Sequence, residues 1–236
     1  MNSILTLDNV HSQYGSSHIL QGVTFDLKEK IIAIVGRNGM GKSTLVKVIM
    51  GLVPMTSGKI ILKGKDISNF KPYKVASLGV GYVPQGRELF PSLSADEHFK
   101  IVMPKNDINK EWNINKIYDL FPNLKKQPNK SAANFSGGEQ QMIAIGRALL
   151  LNPSLLIMDE PSEGLAPVMI KNLIEVCKRL MSEGIHILLV EQNINVATSL
   201  ADELSVMVSG QIVQKVDSEK IMKDASLRSK LLGVGA

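Results

Sequence analysis

An apolar run, Ile31-Ile32-Ala33-Ile34-Val35, leads directly into Gly36-Arg37-Asn38-Gly39-Met40-Gly41-Lys42-Ser43-Thr44. A further apolar stretch of helical length follows through Leu45, Val46, Val48, Ile49 and Met50, and it stops at Gly51. The first run reads as a buried strand, so the local order is strand, glycine loop, helix. Within that order Gly36 to Ser43 fit G-x-x-x-x-G-K-[ST], a phosphate-binding pattern that requires this flanking context. Three glycines let the backbone curl until several N–H groups face one anion, and the helix N-terminus adds the positive end of its dipole. A polyphosphate fits such a loop. Lys42 can reach its β- and γ-phosphates as a point charge, the Ser43 hydroxyl is placed to ligate an accompanying Mg²⁺, and Thr44 supports the α-phosphate side.

A chain of 236 residues, 44% of them hydrophobic, can bury the core of one α/β domain with an inserted subdomain. No stretch reaches the roughly 18 consecutive apolar residues of a membrane span, and Met1-Asn2-Ser3 lacks the basic, apolar start of a secretory signal, so a cytoplasmic location is expected. A single cysteine, Cys177, excludes an intrachain disulfide; it shares a helical face with Ile170, Leu173, Ile174, Leu180 and Met181, which gives it a core role. The net charge of +5 is compatible with nucleic acid, an anionic membrane or simple solubility. The basic clusters Lys59 to Lys65 and Lys125-Lys126 lack interleaved aromatics, so they read as solvated turns, and no nucleic-acid partner is expected.

In chain order, Ile4 to Val10 and Val23 to Leu27 read as strands, which places Tyr14 on a loop between them. Its ring could stack on an adenine, although spacing alone favours a surface tyrosine beside a turn. Lys59 to Leu62 return through Lys63-Gly64 to Asp66 as a hairpin, and Tyr73 to Leu78 read as a short helix. The strand Val80-Gly81-Tyr82-Val83 ends at Pro84-Gln85-Gly86, so Gln85 sits at a strand end, free to ligate metal, to orient water or merely to satisfy local backbone. Beyond Ser94 a helical insertion carries the stripe Ile114, Ile117, Tyr118, Phe121 with Trp112 nearby, read as packing. After a polar loop over 129–134, Ser136-Gly137-Gly138-Glu139 open a helix and form a second anion site. Two phosphate-holding surfaces imply one site closed by both or a sandwich between subunits.

The buried strand Leu155 to Met158 delivers Asp159 and Glu160 together. In a magnesium nucleotide site the first can hold the metal and the second can polarise the attacking water. A helix from about Pro167 to Gly184 precedes the strand Ile187 to Val190, which ends in Glu191-Gln192-Asn193. An amphipathic helix, the strand Leu204 to Val208, a turn at Ser209-Gly210 and a helical C-terminus complete the chain.

This combination resembles the ABC-type ATPases over nearly the whole chain and in the right order. Gly36 to Thr44 resemble the family's Walker A motif, Gln85 its Q-loop, Ser136-Gly137-Gly138-Glu139-Gln140 its signature, and Leu155 to Glu160 its Walker B motif. Tyr14 then matches the adenine-stacking aromatic, which reverses the preference drawn from spacing. The resemblance implies an α/β fold: a P-loop NTPase core with a mainly parallel sheet (1–87 and 153–236), an N-terminal antiparallel β subdomain, and a helical subdomain inserted at about 88–152. It implies ATP and Mg²⁺ as ligands, with Ser43, Gln85 and Asp159 at the metal. It implies catalytic roles for Glu160, Lys42, Gln85 and Gln192, the last in the position of the family's switch histidine. The loop residues Gly36, Arg37, Asn38, Gly39, Met40, Gly41, Lys42, Ser43 and Thr44 would hold one ATP, and Ser136 to Glu139 would close on the partner's.

The partners so implied are a second ABC ATPase subunit (a heterodimer favoured, a homodimer allowed), transmembrane permease subunits and, indirectly, a substrate-binding protein, at the cytoplasmic face of the membrane. Tyr82 to Phe90, Gly138 to Met142 and Glu163-Gly164-Leu165-Ala166-Pro167 are similar to importers of hydrophobic amino acids and amides, branched-chain amino acids first and urea or short amides second. A soluble relative acting on ribosomes or DNA is the distant alternative. Three positions depart from the commonest family pattern: Phe135 replaces a leucine, Ala166 an aspartate, and Gln192 the histidine.

Overall fold

The computed structural model describes residues 3–103 and 111–232; Met1-Asn2 and the part of the expected helical insertion at 104–110 lie outside them. In chain order the elements are β1 (Leu5–Tyr14), β2 (Ser17–Leu27), β3 (Ile31–Val35), α1 (Lys42–Ile49), β4 (Ser57–Leu62), β5 (Lys65–Asp66), α2 (Pro72–Ser77) and β6 (Val80–Val83). Four helices follow: α3 (Ala95–Val102), α4 (Ile114–Leu120), α5 (Pro122–Lys126) and α6 (Gly137–Leu149). The chain continues as β7 (Leu155–Asp159), α7 (Pro167–Ser182), β8 (His186–Glu191), α8 (Ile194–Thr198), β9 (Glu203–Val208), β10 (Gln211–Asp217), α9 (Ser218–Lys223) and α10 (Ala225–Leu232).

Among the described residues β10-β9-β3-β8-β7-β6 form one sheet, parallel from β9 to β6 with β10 antiparallel at its edge. Parallel strands are covered on both faces, and β7 is accordingly buried along its whole length. The period of two divides β3 between two cores: Ile32 and Ile34 face one, Ala33 and Val35 the other. On the first side lie α1 and the antiparallel sheet β2-β1-β4-β5, through Leu5, Leu7, Val23 and Leu45. On the other lie α6, α7 and α8, together with the helices between β6 and β7. There Phe99 meets α6 so closely that a Cβ on Gly146 would stand 2.7 Å from its ring. Ser94 starts α3 with a reciprocal capping box to Glu97.

Register brings four strand ends to one edge. Val35 pairs with Glu191, Val190 with Asp159, and Met158 with Val83, so the residues that follow each strand emerge side by side. Such a crevice at the carboxyl ends of parallel strands is where open α/β sheets bind ligands.

Two expectations need correction. Strands β1 and β2 run further toward each other than the sequence suggests, and Tyr14 is the last residue of β1, paired with Ser17 across a two-residue turn, not a loop residue. The cause is a bulge: Asn9 takes φ 48° and shifts the register between Leu7 and Val10, which breaks the alternation that marks a strand. The loop over 129–134 contains a 3₁₀ turn at Ala132–Asn134. The amphipathic helix expected before β9 is the short α8.

Cys177 is buried on α7 with Leu173 and Leu180, as its helical face implies, and burial pushes its thiol up to about 12.

Candidate functional site

The loop between β3 and α1 turns through Gly39 (φ 80°) and Gly41 (φ 99°), left-handed conformations that a side chain resists. Gly36 admits no Cβ for a second reason, because one would lie 2.5 Å from the Met207 carbonyl of β9. The turn between β9 and β10 clamps the loop from outside: the Gly210 N–H donates to the Met40 carbonyl at 2.9 Å. Gly41 precedes α1 without any side-chain cap, so the first N–H groups of this helix stay available for an anion.

Lys42 is buried and turned back on its own loop. Its Nζ donates to the carbonyls of Gly36 at 2.9 Å and Arg37 at 3.0 Å, and it lies 2.8 Å from Glu160 Oε1. Next to it the Ser43 hydroxyl donates to Asp159 Oδ1 at 2.9 Å. The other oxygen of Asp159 is buried without a hydrogen-bond partner among the described residues. Burial, with Glu160 adding to it against the Ser43 hydrogen bond, raises the Asp159 carboxyl to about 6. An ionised carboxylate with a spare oxygen beside a serine hydroxyl is an incomplete cation site. Magnesium is commonly held by one or two carboxylates plus a ligand's phosphates, so this oxygen donor set fits it.

Glu160 follows β7 in a left-handed conformation, φ 46°, with its N–H donating to Val190 of β8 at 2.8 Å. Gln85, just beyond β6, donates to Glu163 Oε2 at 3.0 Å and approaches Glu160 Oε2 at 3.4 Å. These residues surround a cleft of about 420 Å³ lined by Ile19, Asn38, Gly39, Gly41, Lys42, Ser43, Thr44, Gln85 and Glu160. The remaining candidates lie elsewhere. Tyr14 is half exposed and does not line the cleft, and Arg37 is exposed beside it. Gln192 is exposed immediately beyond the end of β8. Ser136 caps α6, with its hydroxyl donating to Glu139 Oε2 at 2.7 Å, and neither it nor Gly137 and Gly138 reach the cleft. Within one chain, therefore, the two anion surfaces do not close on each other.

Two residues of this site escaped the sequence. Glu191 is buried at the end of β8 and accepts from the N–H of Ser162 at 3.0 Å and of Asn193 at 3.1 Å. It holds the turn after Glu160, and burial raises its carboxyl above the ordinary range. Glu163 occupies the Gln85 amide. A carboxylate at a strand end was the available signal for Glu191; Glu163 gave none, since its partner is 78 residues away.

The model of the ABC transporter family matches residues 20–163. A high-affinity branched-chain amino acid transport ATP-binding protein of Pseudomonas aeruginosa is 36% identical over 98% of this chain and 100% of its own length. A probable branched-chain amino acid transport ATP-binding protein of Archaeoglobus fulgidus is 32% identical, covering 95% of this chain and 97% of its own. Among solved structures, the ADP conformation of an ATP-binding cassette of an ABC transporter superposes with a TM-score of 0.82 at 27% identity, over 98% of this chain and 97% of that one.

Proposed function

The chain belongs to the ABC transporter family, and on that premise we propose that it is the ATP-hydrolysing subunit of an importer for branched-chain amino acids. The observation that carries the reading is the meeting of Lys42, the Ser43–Asp159 pair and Glu160 in one cleft at the carboxyl edge of the sheet. Phosphates entering the loop compete with Glu160 for Lys42. The released carboxylate can then take a proton from the water that attacks the γ-phosphorus, while the bond to the bridging oxygen breaks and ADP leaves with that electron pair. Ser43 and Asp159 would hold Mg²⁺, which neutralises charge on the phosphate oxygens. Gln85, whose amide nitrogen is held by Glu163, would join them through its amide oxygen.

In this reading residues 88–152 act as a helical subdomain and the rest as the nucleotide-binding core. Ser136 to Glu139 serve the ATP of a second ATPase subunit, which explains their distance from this chain's cleft. Among the described residues no helix is long and apolar enough to cross a membrane. The importer reading assigns the crossing to separate permease subunits, with this chain against them at the cytoplasmic face. Copurification with such subunits and ATP-dependent uptake of leucine, isoleucine and valine test the assignment. Uptake of urea instead would move the cargo to short amides, and association with ribosomes or DNA would overturn transport altogether.

Substituting Ser136→Arg is expected to lower phosphate release from the assembled complex by about 10²-fold or more, because bulk obstructs closure on the partner's ATP. Nucleotide binding to the isolated subunit should not change. An equal loss in the isolated subunit would place the serine at its own nucleotide.

A heterodimer is favoured by Gln192. Glutamine can donate to a γ-phosphate but stays neutral, whereas histidine can also carry charge. Gln192→His is expected to raise turnover at this subunit's own site by about tenfold, the scale of one charge-assisted hydrogen bond. Phosphate release measured with the second subunit's catalytic carboxylate removed checks this. An unchanged rate would make the glutamine an adequate substitute and the two sites equal.

A further inference from the structure

Helix α6 carries two consecutive glutamines with opposite circumstances. Gln140 is fully employed: its amide donates to the carbonyls of Ala132 at 3.0 Å and Phe135 at 3.2 Å, and its oxygen meets Arg87 at 3.5 Å. Gln141, rotated about 100° around the helix, is only 3% exposed, and its Nε2 is buried without an acceptor among the described residues. A buried amide donor left unpaired is costly, and a packing role would be met as well by an apolar side chain. Gln141 lines a recess of about 230 Å³ together with Gly86, Arg87, Glu160, Glu163 and Gly164. This recess lies against Glu160 and is distinct from the nucleotide cleft, which Gln141 does not line. It is polar and has room for several waters, at about 30 Å³ each, with enough partners to order them.

We propose that Gln141 is a positioning residue for ATP hydrolysis: its amide, whose Nε2 is closed off from water here, turns into this recess once the phosphates draw Lys42 away, and through water there it donates toward Glu160 and holds that carboxylate. The inference rests on Glu160 as the activating carboxylate. In the present structure Glu160 has Lys42 at 2.8 Å, and among the described residues its other oxygen has only the longer contact to Gln85 at 3.4 Å. When Lys42 turns to phosphate, the buried carboxylate needs another donor, and the recess supplies one from the helix that begins with Ser136. Two carboxylates, Glu160 and Glu163, face the same space, so it suits water and opposes an anion such as released phosphate. The arrangement also ties the base to α6, whose N-terminus is proposed to close on the partner's nucleotide.

The test is steady-state phosphate release from the assembled transporter carrying Gln141→Met or Gln141→Glu. Methionine keeps the length of the side chain; glutamate keeps its shape but lacks the donor. Both are expected to lower kcat about tenfold with an unchanged KM for ATP. The isolated Gln141→Met subunit should melt no lower than the parent, since no protein hydrogen bond is lost. In a Glu160→Gln background the methionine substitution should change the residual rate less than twofold, because the group it positions is gone. A normal rate for Gln141→Met, a normal rate for Gln141→Glu, or the same fold loss in both backgrounds would each overturn the proposal. Full turnover by Glu160→Gln itself would instead remove Glu160 as the base, and the proposal would fall with that reading.

Discussion

Changing Glu160 to glutamine is expected to leave ATP bound and to slow hydrolysis by about 10²- to 10⁴-fold, the range for loss of a positioned general base. The substitution is isosteric, and the backbone that aims the side chain does not depend on its charge. The N–H of residue 160 still donates to Val190, and Glu191 still holds the following turn through Ser162. What disappears is the anionic oxygen that faces Lys42 at 2.8 Å. The lysine then loses its competitor for phosphate, so ATP affinity should stay the same or rise, and ATP-bound dimers should accumulate. Phosphate release from the assembled transporter, measured beside nucleotide binding, separates the two effects. Normal turnover would disqualify Glu160, and Glu163, within reach of the same Gln85 amide, would become the carboxylate to change next.

The parts of this molecule that were legible in the sequence are those whose cause is local. Val80 to Val83 read correctly to the residue, because a glycine before and a proline after confine a short apolar run. Strands β3, β7 and β8 announced themselves as continuous apolar stretches, as doubly covered parallel strands do. The phosphate loop was legible for the same reason: glycines at fixed spacing encode a backbone shape by themselves. The contacts made across the fold left no such trace. Nothing in the wording of 80–90 or 155–165 says that Gln85 will be held by Glu163, or that Lys42 will rest on Glu160 rather than point outward. The misplacement of Tyr14 has a mixed cause. A left-handed Asn9 interrupts the alternation of β1, and without alternation the second half of that strand looks like a loop. Gln141 is a third kind of case: a helix-interior glutamine is unremarkable until its burial and its missing acceptor are seen together.

Lys42→Ala should abolish productive ATP binding, with affinity falling by about 10²- to 10⁴-fold, as two charge-assisted hydrogen bonds of roughly 1.5–3 kcal/mol each would give. The structure adds a second consequence that complicates the measurement. Lys42 is 3% exposed and joins Glu160, Gly36 and Arg37, so its removal leaves a buried carboxylate without its cation, and breaking a buried pair from one side typically destabilises by about 3–5 kcal/mol. Weak binding by the alanine variant could therefore reflect a loosened loop as well as a missing charge. The double substitution Lys42→Ala with Glu160→Gln distinguishes them, since the neutral amide needs no cation. Thermal melting of the isolated subunit should show most of the lost stability restored in the double variant, while equilibrium titration with ATP should show the affinity still missing. If the double variant recovers ATP binding along with stability, Lys42 acts by neutralising Glu160 and not by holding phosphate. If Lys42→Ala alone binds and hydrolyses ATP as the parent does, the loop is not the nucleotide site.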